Sequence, residues 1–189
     1  GSLKGMRIEG NISFAAGTRK PGQVYDAYLI SGYTPADGIE LVGNVGYHAG
    51  GKAKLGGGWR PIARVDNYKH LLNGTCVVKD NYLAGARGLL VGKWTRATVT
   101  GNTLWSDQVL ASVRPPEAGP LAGYTWDDNA YIATGDGPHF GIVASSGDTE
   151  KVTEYVDLDA WRARTGFDAK SRVERVAGPR PTGTKVFTW

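Results

Sequence analysis

The stretch TRATVTGNTLWS, Thr95 to Ser106, decides how this chain folds. Branched and small apolar residues alternate with polar ones as far as Thr100, as they do in a half-buried strand. The run stops at Gly101-Asn102 and a second short run starts at once. An Asn-Gly pair would make a hairpin turn. Here the order is Gly-Asn, so turn chemistry alone leaves two answers open, a hairpin or a corner between two sheets.

The rest of the chain chooses between them, because the same unit recurs. MRIEGNISF surrounds Asn11, IELVGNVGY surrounds Asn44, CVVKDNYLA surrounds Asn81, and YTWDDNAYI surrounds Asn129. Each is a strand of about four alternating residues, a Gly or Asp, an Asn, and a second short strand. The Asn residues are 33, 37, 21 and 27 positions apart. A strand–corner–strand unit at such spacing is a solenoid signature. The shortest interval corresponds to one turn of a parallel β-helix, and the longer ones to a turn with an inserted loop, or to two turns. Gly101-Asn102 is therefore a corner. Asn suits it because its side chain tolerates the left-handed region and bonds the local backbone. Stacked corner Asn side chains can also bond one another, as amide ladders do.

A third strand per unit is expected at AYLISG (27–32), KAKLGG (52–57), GLLVGK (88–93) and QVLASV (108–113). The segment GWRPIARVDNYKHLLN (58–73) breaks the pattern and reads as an inserted loop or irregular turn. After Ala133 the texture changes. TGDGPHFGIVASSGDTE is rich in turn residues, and DLDAWRARTGF reads as one short helix with Asp157 as N-cap and Gly166 as C-cap. The expected organisation is all-β, a right-handed single-stranded parallel β-helix over 3–133 closed by a C-terminal cap over 134–189.

Composition agrees with this. Gly makes up 28 of 189 residues, about twice ordinary usage, with no collagen period. No apolar run reaches the roughly 18 residues of a membrane span, and no signal peptide opens the chain. Gly1-Ser2 reads as a cloning scar, which leaves export open. Cys76 is the single cysteine, so a disulfide framework within one chain is excluded, and the residue reads as a small core side chain. The net charge of +4 allows an anionic partner. The basic residues are scattered, which makes nucleic acid the least favoured of the anionic partners.

Several longer pieces carry a family resemblance: GMRIEGNISFAAG, GIELVGNVGYHAGG, TCVVKDNYLAG, LLVGKWTRATVTGNTLWS, and YTWDDNAYIA followed by DLDAWRARTGFDAKSRV. Together they resemble bacterial right-handed parallel β-helix proteins, related in fold to pectate lyases and alginate-active enzymes. The last pair is the most specific, and the resemblance runs over Leu3 to Trp189. Members of that group carry further turns and a helical cap before the point where this chain begins. The chain thus reads as the C-terminal part of a longer β-helix, or a naturally short one, and its uncapped first turn predicts a partner chain, a second copy or poor order at that end.

The resemblance implies an enzyme acting on a polysaccharide that lies along the first sheet. Such a groove needs cations to neutralise a uronate carboxylate and a base to take a ring proton. The residues placed to supply these are Lys54, Lys93, Arg96 and Tyr82. Trp59, Trp94, Arg87, His48 and His70 are the candidates for substrate binding, the tryptophans by stacking on sugar rings. Each also has a plainer reading, a solvated cation or histidine, or a packing aromatic, and packing is the first reading for Trp105, Trp126 and Trp161. Asp127 and Asp128 are adjacent, so on a strand they point to opposite faces; with Asp66 remote, paired-carboxylate hydrolysis is disfavoured. No cofactor is expected. A calcium site from Asp127, Asp128 and Asp136 is compatible with clustered oxygens, although no loop spacing demands it. The expected function is lyase, epimerase or hydrolase action on an acidic polysaccharide, extracellular or at a bacterial surface. The alternative is a non-catalytic glycan-binding or structural module.

Overall fold

A computed structural model describes residues 2–14, 27–47, 61–67, 71–116, 121–135, 137–146 and 149–177. The first unit contains β1 (Leu3–Lys4), β2 (Arg7–Glu9), β3 (Ile12–Phe14) and β4 (Tyr28–Gly32). The second contains β5 (Ala36–Asp37), β6 (Ile39–Val42), β7 (Val45–Tyr47) and β8 (Ala63–Asn67). The third and fourth have two strands each, β9 (Asn73–Lys79) with β10 (Tyr82–Gly92), and β11 (Trp94–Thr100) with β12 (Thr103–Arg114). The fifth contains β13 (Tyr124–Asp127), β14 (Ala130–Thr134), β15 (Phe140–Ser146) and β16 (Thr149–Val156). Helix α1 (Leu158–Thr165) and β17 (Arg172–Val176) close the sequence of elements.

The fold is all-β, with the strands of successive units paired in parallel. A first sheet runs β2–β6–β9–β11–β13. A second is formed by β3, β7, the start of β10, the start of β12, β14 and β17. A third is formed by β4, β8, the end of β10, the end of β12 and β15, to which β16 adds the one antiparallel strand. This arrangement is compatible with a β-helix or another solenoid. The interior is filled from all three sheets by side chains such as Leu41, Val78, Val99, Leu104, Val91 and Val113, and Cys76 lies among them. Among the described residues no helix is long and apolar enough to cross a membrane.

The Asn corners join the first sheet to the second. In all five units the residue before the Asn has positive φ: Gly10 (65°), Gly43 (62°), Asp80 (54°), Gly101 (68°) and Asp128 (57°). The left-handed residue is thus the Gly or Asp, not the Asn expected from the sequence, because Gly has no Cβ penalty and Asp tolerates this region. The Asn does the bonding. The backbone N–H of Asn11, Asn44, Asn81 and Asn102 donates to Oδ1 of the next Asn at 3.0, 3.0, 3.1 and 3.1 Å. Each Nδ2 donates to the same oxygen at 3.1, 3.1, 2.9 and 3.0 Å. The second Nδ2 proton of Asn102 goes to main-chain carbonyls of Val78 and Thr100.

The ladder ends in the cap. Asn129 N donates to Ser171 Oγ at 2.8 Å, and its Nδ2 donates to Asp168 Oδ1 at 3.3 Å. Asp168 also accepts from Ser171 Oγ, Trp161 Nε1 and Tyr131 Oη. Trp126, Trp161, Phe167 and Phe140 pack ring against ring over it. Helix α1 is capped as its sequence predicts: Asp157 accepts from Ala160 N at 2.8 Å, and Gly166 has φ 74°. The Trp161 indole is driven into the core, with Leu158 and Ala160 partly buried against it.

Three expectations are corrected. The segment read as an inserted loop contains β8, which pairs on both sides in the third sheet. GLLVGK and QVLASV are not separate strands; they continue β10 and β12 past a register shift at Gly85–Arg87. The turn-rich stretch after Ala133 holds β15 and β16. KAKLGG lies outside the described residues.

Two measurements test this account. Asn102→Ala removes the acceptor of two Asn81 bonds and a donor to Val78, all buried, at about 1–3 kcal/mol for each group left unsatisfied. Urea unfolding is expected to show a loss of at least about 3 kcal/mol. Asn102→Asp keeps the size but turns an oxygen toward the carbonyls of Val78 and Thr100, and is expected to lose as much. The second measurement concerns Asp168, whose carboxyl burial pushes above its ordinary value, more than its four donors pull it back. The folded chain therefore holds this proton more tightly than the unfolded chain does. The stability of the native protein relative to Asp168→Asn is expected to fall as pH rises above the ordinary carboxyl range of about 4. A difference that rises with pH would contradict the assignment.

Candidate functional site

The third sheet carries charge on its outer face. In the β8 sequence ARVDN, Ala63 and Val65 point into the core, so Arg64 and Asp66 point outward. Asp66 is opposite Ser31 of β4. Val65 opposite Val91, and Gly92 opposite Arg114, place Asp66, Gly92 and Arg114 in one row across three strands. Arg114 Nη1 donates to Asp66 Oδ2 at 2.6 Å, passing over the middle strand. That reach spans two strand spacings, roughly 10 Å between the outer backbones. Gly92 makes it feasible: a Cβ there would lie 2.6 Å from the Arg114 Cβ and 3.0 Å from Asp66 Oδ1.

Arg64 Nη2 donates to the same Asp66 oxygen at 3.2 Å, and Asn67 N donates to Oδ1 at 2.6 Å. All three charged side chains are buried. With three donors on its two oxygens, Asp66 serves as a clamp between strands β8 and β12. The adjacent outer row runs Arg64, Leu90, Ser112, Gly141, Tyr155. The Ser112 hydroxyl on this row is buried and has no hydrogen-bond partner among the described residues. Arg87, at the register shift of β10, is buried near Tyr155. Burial lowers the pKa of the Arg87 guanidinium, and the neighbouring Tyr155 raises it again. Burial raises the Tyr155 hydroxyl, against which Arg87 pulls it down.

The residues expected from the sequence are spread over several faces. Lys93 is buried at the corner between the third and first sheets, with φ 62°. Its N–H donates to Arg114 O and its carbonyl accepts from Asn73 N. Trp94 is a core residue, its indole Nε1 donating to Val65 O at 3.0 Å. Arg96 is exposed on the outer side of the first sheet, opposite Thr75. Tyr82 is half-buried on the outer side of the second sheet, between Val45 and Thr103. Trp105 lies half-buried on the same side. Lys54, Trp59, His48 and His70 lie outside the described residues.

Of the calcium candidates, Asp127 accepts from Lys170 N and Asp128 is a corner residue, while Asp136 lies outside the described residues. Among the described residues no group of three or more His, Cys, Asp or Glu is placed to hold a metal ion. Sequence reasoning did not pick Arg64, Arg114 or Tyr155, and set Asp66 aside as remote. The usable signal was the strict alternation of ARVD, hidden between turn-rich flanks. Comparison with family models, curated proteins and solved structures finds no match for this chain.

The clamp makes a clear prediction. Asp66→Ala leaves two buried guanidiniums without their shared carboxylate and is expected to cost about 3–5 kcal/mol in urea unfolding. Replacing Arg114 as well, in Asp66→Ala/Arg114→Met, is expected to recover part of that loss, because a lone buried charge is worse than none. A double variant as unstable as the sum of its single changes would show that the pair does not act together.

Proposed function

We propose that the stacked units form a right-handed single-stranded parallel β-helix of the pectate-lyase-like kind, and that its outer face binds an acidic polysaccharide at or outside a bacterial cell surface. Handedness is supported by a general rule: parallel strands joined by a crossover wind right-handed almost without exception. The observation behind the glycan reading is the gathering of the buried guanidiniums of Arg64, Arg87 and Arg114 beneath the surface of the third sheet, beside the half-buried Tyr155, where they act through their field. Guanidiniums match carboxylate geometry better than lysines do. Arg64 and Arg114 are engaged with Asp66, so they contribute through the positive field of that face more than through direct contact.

Binding without catalysis is the better supported form. β-Elimination needs a base and a carboxylate-neutralising cation on the same sugar. Tyr82, Arg96 and Lys93 lie on the second sheet, the first sheet and a buried corner, and so do not face one sugar. A lyase reading is favoured by one feature, the cation Arg87 beside the hydroxyl of Tyr155, which is the pairing of groups such a step uses.

A panel of alginate, pectate, hyaluronan, chondroitin, xylan and cellulose tests both readings. In affinity electrophoresis the acidic glycans are expected to retard the protein, with an effect that weakens as salt rises. Cellulose and xylan are expected to leave it unretarded. Ultraviolet absorbance is expected to show no unsaturated product. Product that forms and is lost in Tyr155→Phe would instead establish the lyase reading. No retardation by any acidic glycan would overturn the polysaccharide reading altogether.

A further inference from the structure

The C-terminal end holds a cleft that meets the third-sheet cluster only at Tyr155. It has two lobes, of about 350 and 470 Å³, sharing Gly137, Asp157 and Arg175. These volumes are in the range of small-molecule sites, about 300–1,000 Å³. Leu158 and Val173 line the smaller lobe with apolar surface, over the buried Phe140. Its wall includes His139, whose two ring nitrogens face Gln108 O at 3.0 Å and Gly135 O at 3.3 Å, so the ring is held in place by main chain on both sides. Tyr155 lines the larger lobe.

The two charged residues shared by the lobes are each half-used. Asp157 Oδ1 accepts from Ala160 N at the helix cap, and among the described residues no hydrogen bond or ion pair occupies Oδ2. Arg175 Nη1 donates to Gly135 O at 3.1 Å and makes no ion pair among the described residues. They line one cleft without pairing with each other. A ligand that satisfies both must offer a donor to Asp157, an acceptor to Arg175, and a carbon face to Leu158 and Val173. A hydroxyl supplies the donor. The acceptor a guanidinium holds best is a carboxylate.

We infer that this cleft binds a single sugar unit bearing a carboxylate, a uronic acid, with its carboxylate on Arg175, a ring hydroxyl on Asp157, and its C–H face on the apolar floor. The inference deepens the acidic-glycan reading but concerns the end of the stack, not its outer face. The two can therefore fail separately. Retardation by polymers with no monosaccharide bound would leave only the outer face, and the reverse result would leave only the cleft.

The test is a titration of the full ¹⁵N-labelled chain with D-glucuronate and, separately, D-glucose, followed by amide chemical shifts. Glucuronate is expected to give saturable shifts at Gly137, Asp157 and Ala160 with a Kd on the order of 1 mM. Glucose is expected to bind several-fold more weakly, since it offers Arg175 only neutral oxygens. Arg175→Met is expected to weaken glucuronate about tenfold while leaving the weak glucose binding nearly unchanged. Asp157→Ser keeps an oxygen for the helix cap, and is expected to weaken both sugars with little change in thermal midpoint. Shifts that do not saturate, shifts confined to other residues, or equal binding in native protein and both variants would overturn the inference. Glucose binding as tight as glucuronate would overturn the carboxylate assignment.

Discussion

The fold depends on the hydrogen bonds of one column of asparagines, buried from Asn44 to Asn129. A corner that turns the chain between two sheets exposes a peptide N–H and a carbonyl in a place where no strand neighbour can pair both. Asn resolves this, because its side chain carries an acceptor and two donors at the reach of one strand spacing. Its Oδ1 takes the N–H and the amide of the previous unit, while its own Nδ2 passes the same demand to the next. The main chain continues in parallel on both sides, with Tyr82 N on Asn44 O, Thr103 N on Asn81 O and Ala130 N on Asn102 O, each at 2.8 Å. Because every member depends on the next, register is set at the corner and carried outward along both strands.

A ladder of this kind must be terminated, since its last amide faces a donor demand with no Asn to meet it. Ser171 and Asp168 take over the two bonds that a sixth Asn would have made, one oxygen each. The cost is a buried carboxylate, and the aromatic cap around Trp126, Trp161 and Phe167 exists in part to surround it with donors and exclude water. Helix α1 is shaped by this need. Its one buried side chain, Trp161, delivers an indole N–H to Asp168.

These relations explain what could be read in the sequence and what could not. The corner dipeptides were legible because Gly or Asp followed by Asn satisfies two local requirements at once, a left-handed residue and a bonding side chain. The helix was legible from its caps. Strand β8 was not, because charged residues at Arg64 and Asp66 imitate a loop unless their partners on β10 and β12 are known. Those partners are 26 residues or more away along the chain, and the middle one, Gly92, contributes by having no side chain. The same limit hides the site. Arg114 and Asp66 meet only because parallel stacking aligns positions 48 residues apart. The C-terminal cleft is likewise assembled from a turn, a helix cap and the last strand.

Stacking also dictates what form a binding surface takes here. Side chains of equivalent position repeat along the stack at one strand spacing, about 4.8 Å, so outward residues form rows rather than isolated patches. A row of long cations would repel itself. On the third sheet the chain interleaves Arg64 and Arg114 with Asp66 and with the small residues Gly92, Ser112 and Gly141. The carboxylate fixes both guanidiniums, and the small residues leave room for them to lie across neighbouring strands. The result is a face whose charge is positive yet whose side chains are held still. The register of strands β8, β10 and β12 is thus held on the outer side of the sheet by one row of charged and small residues.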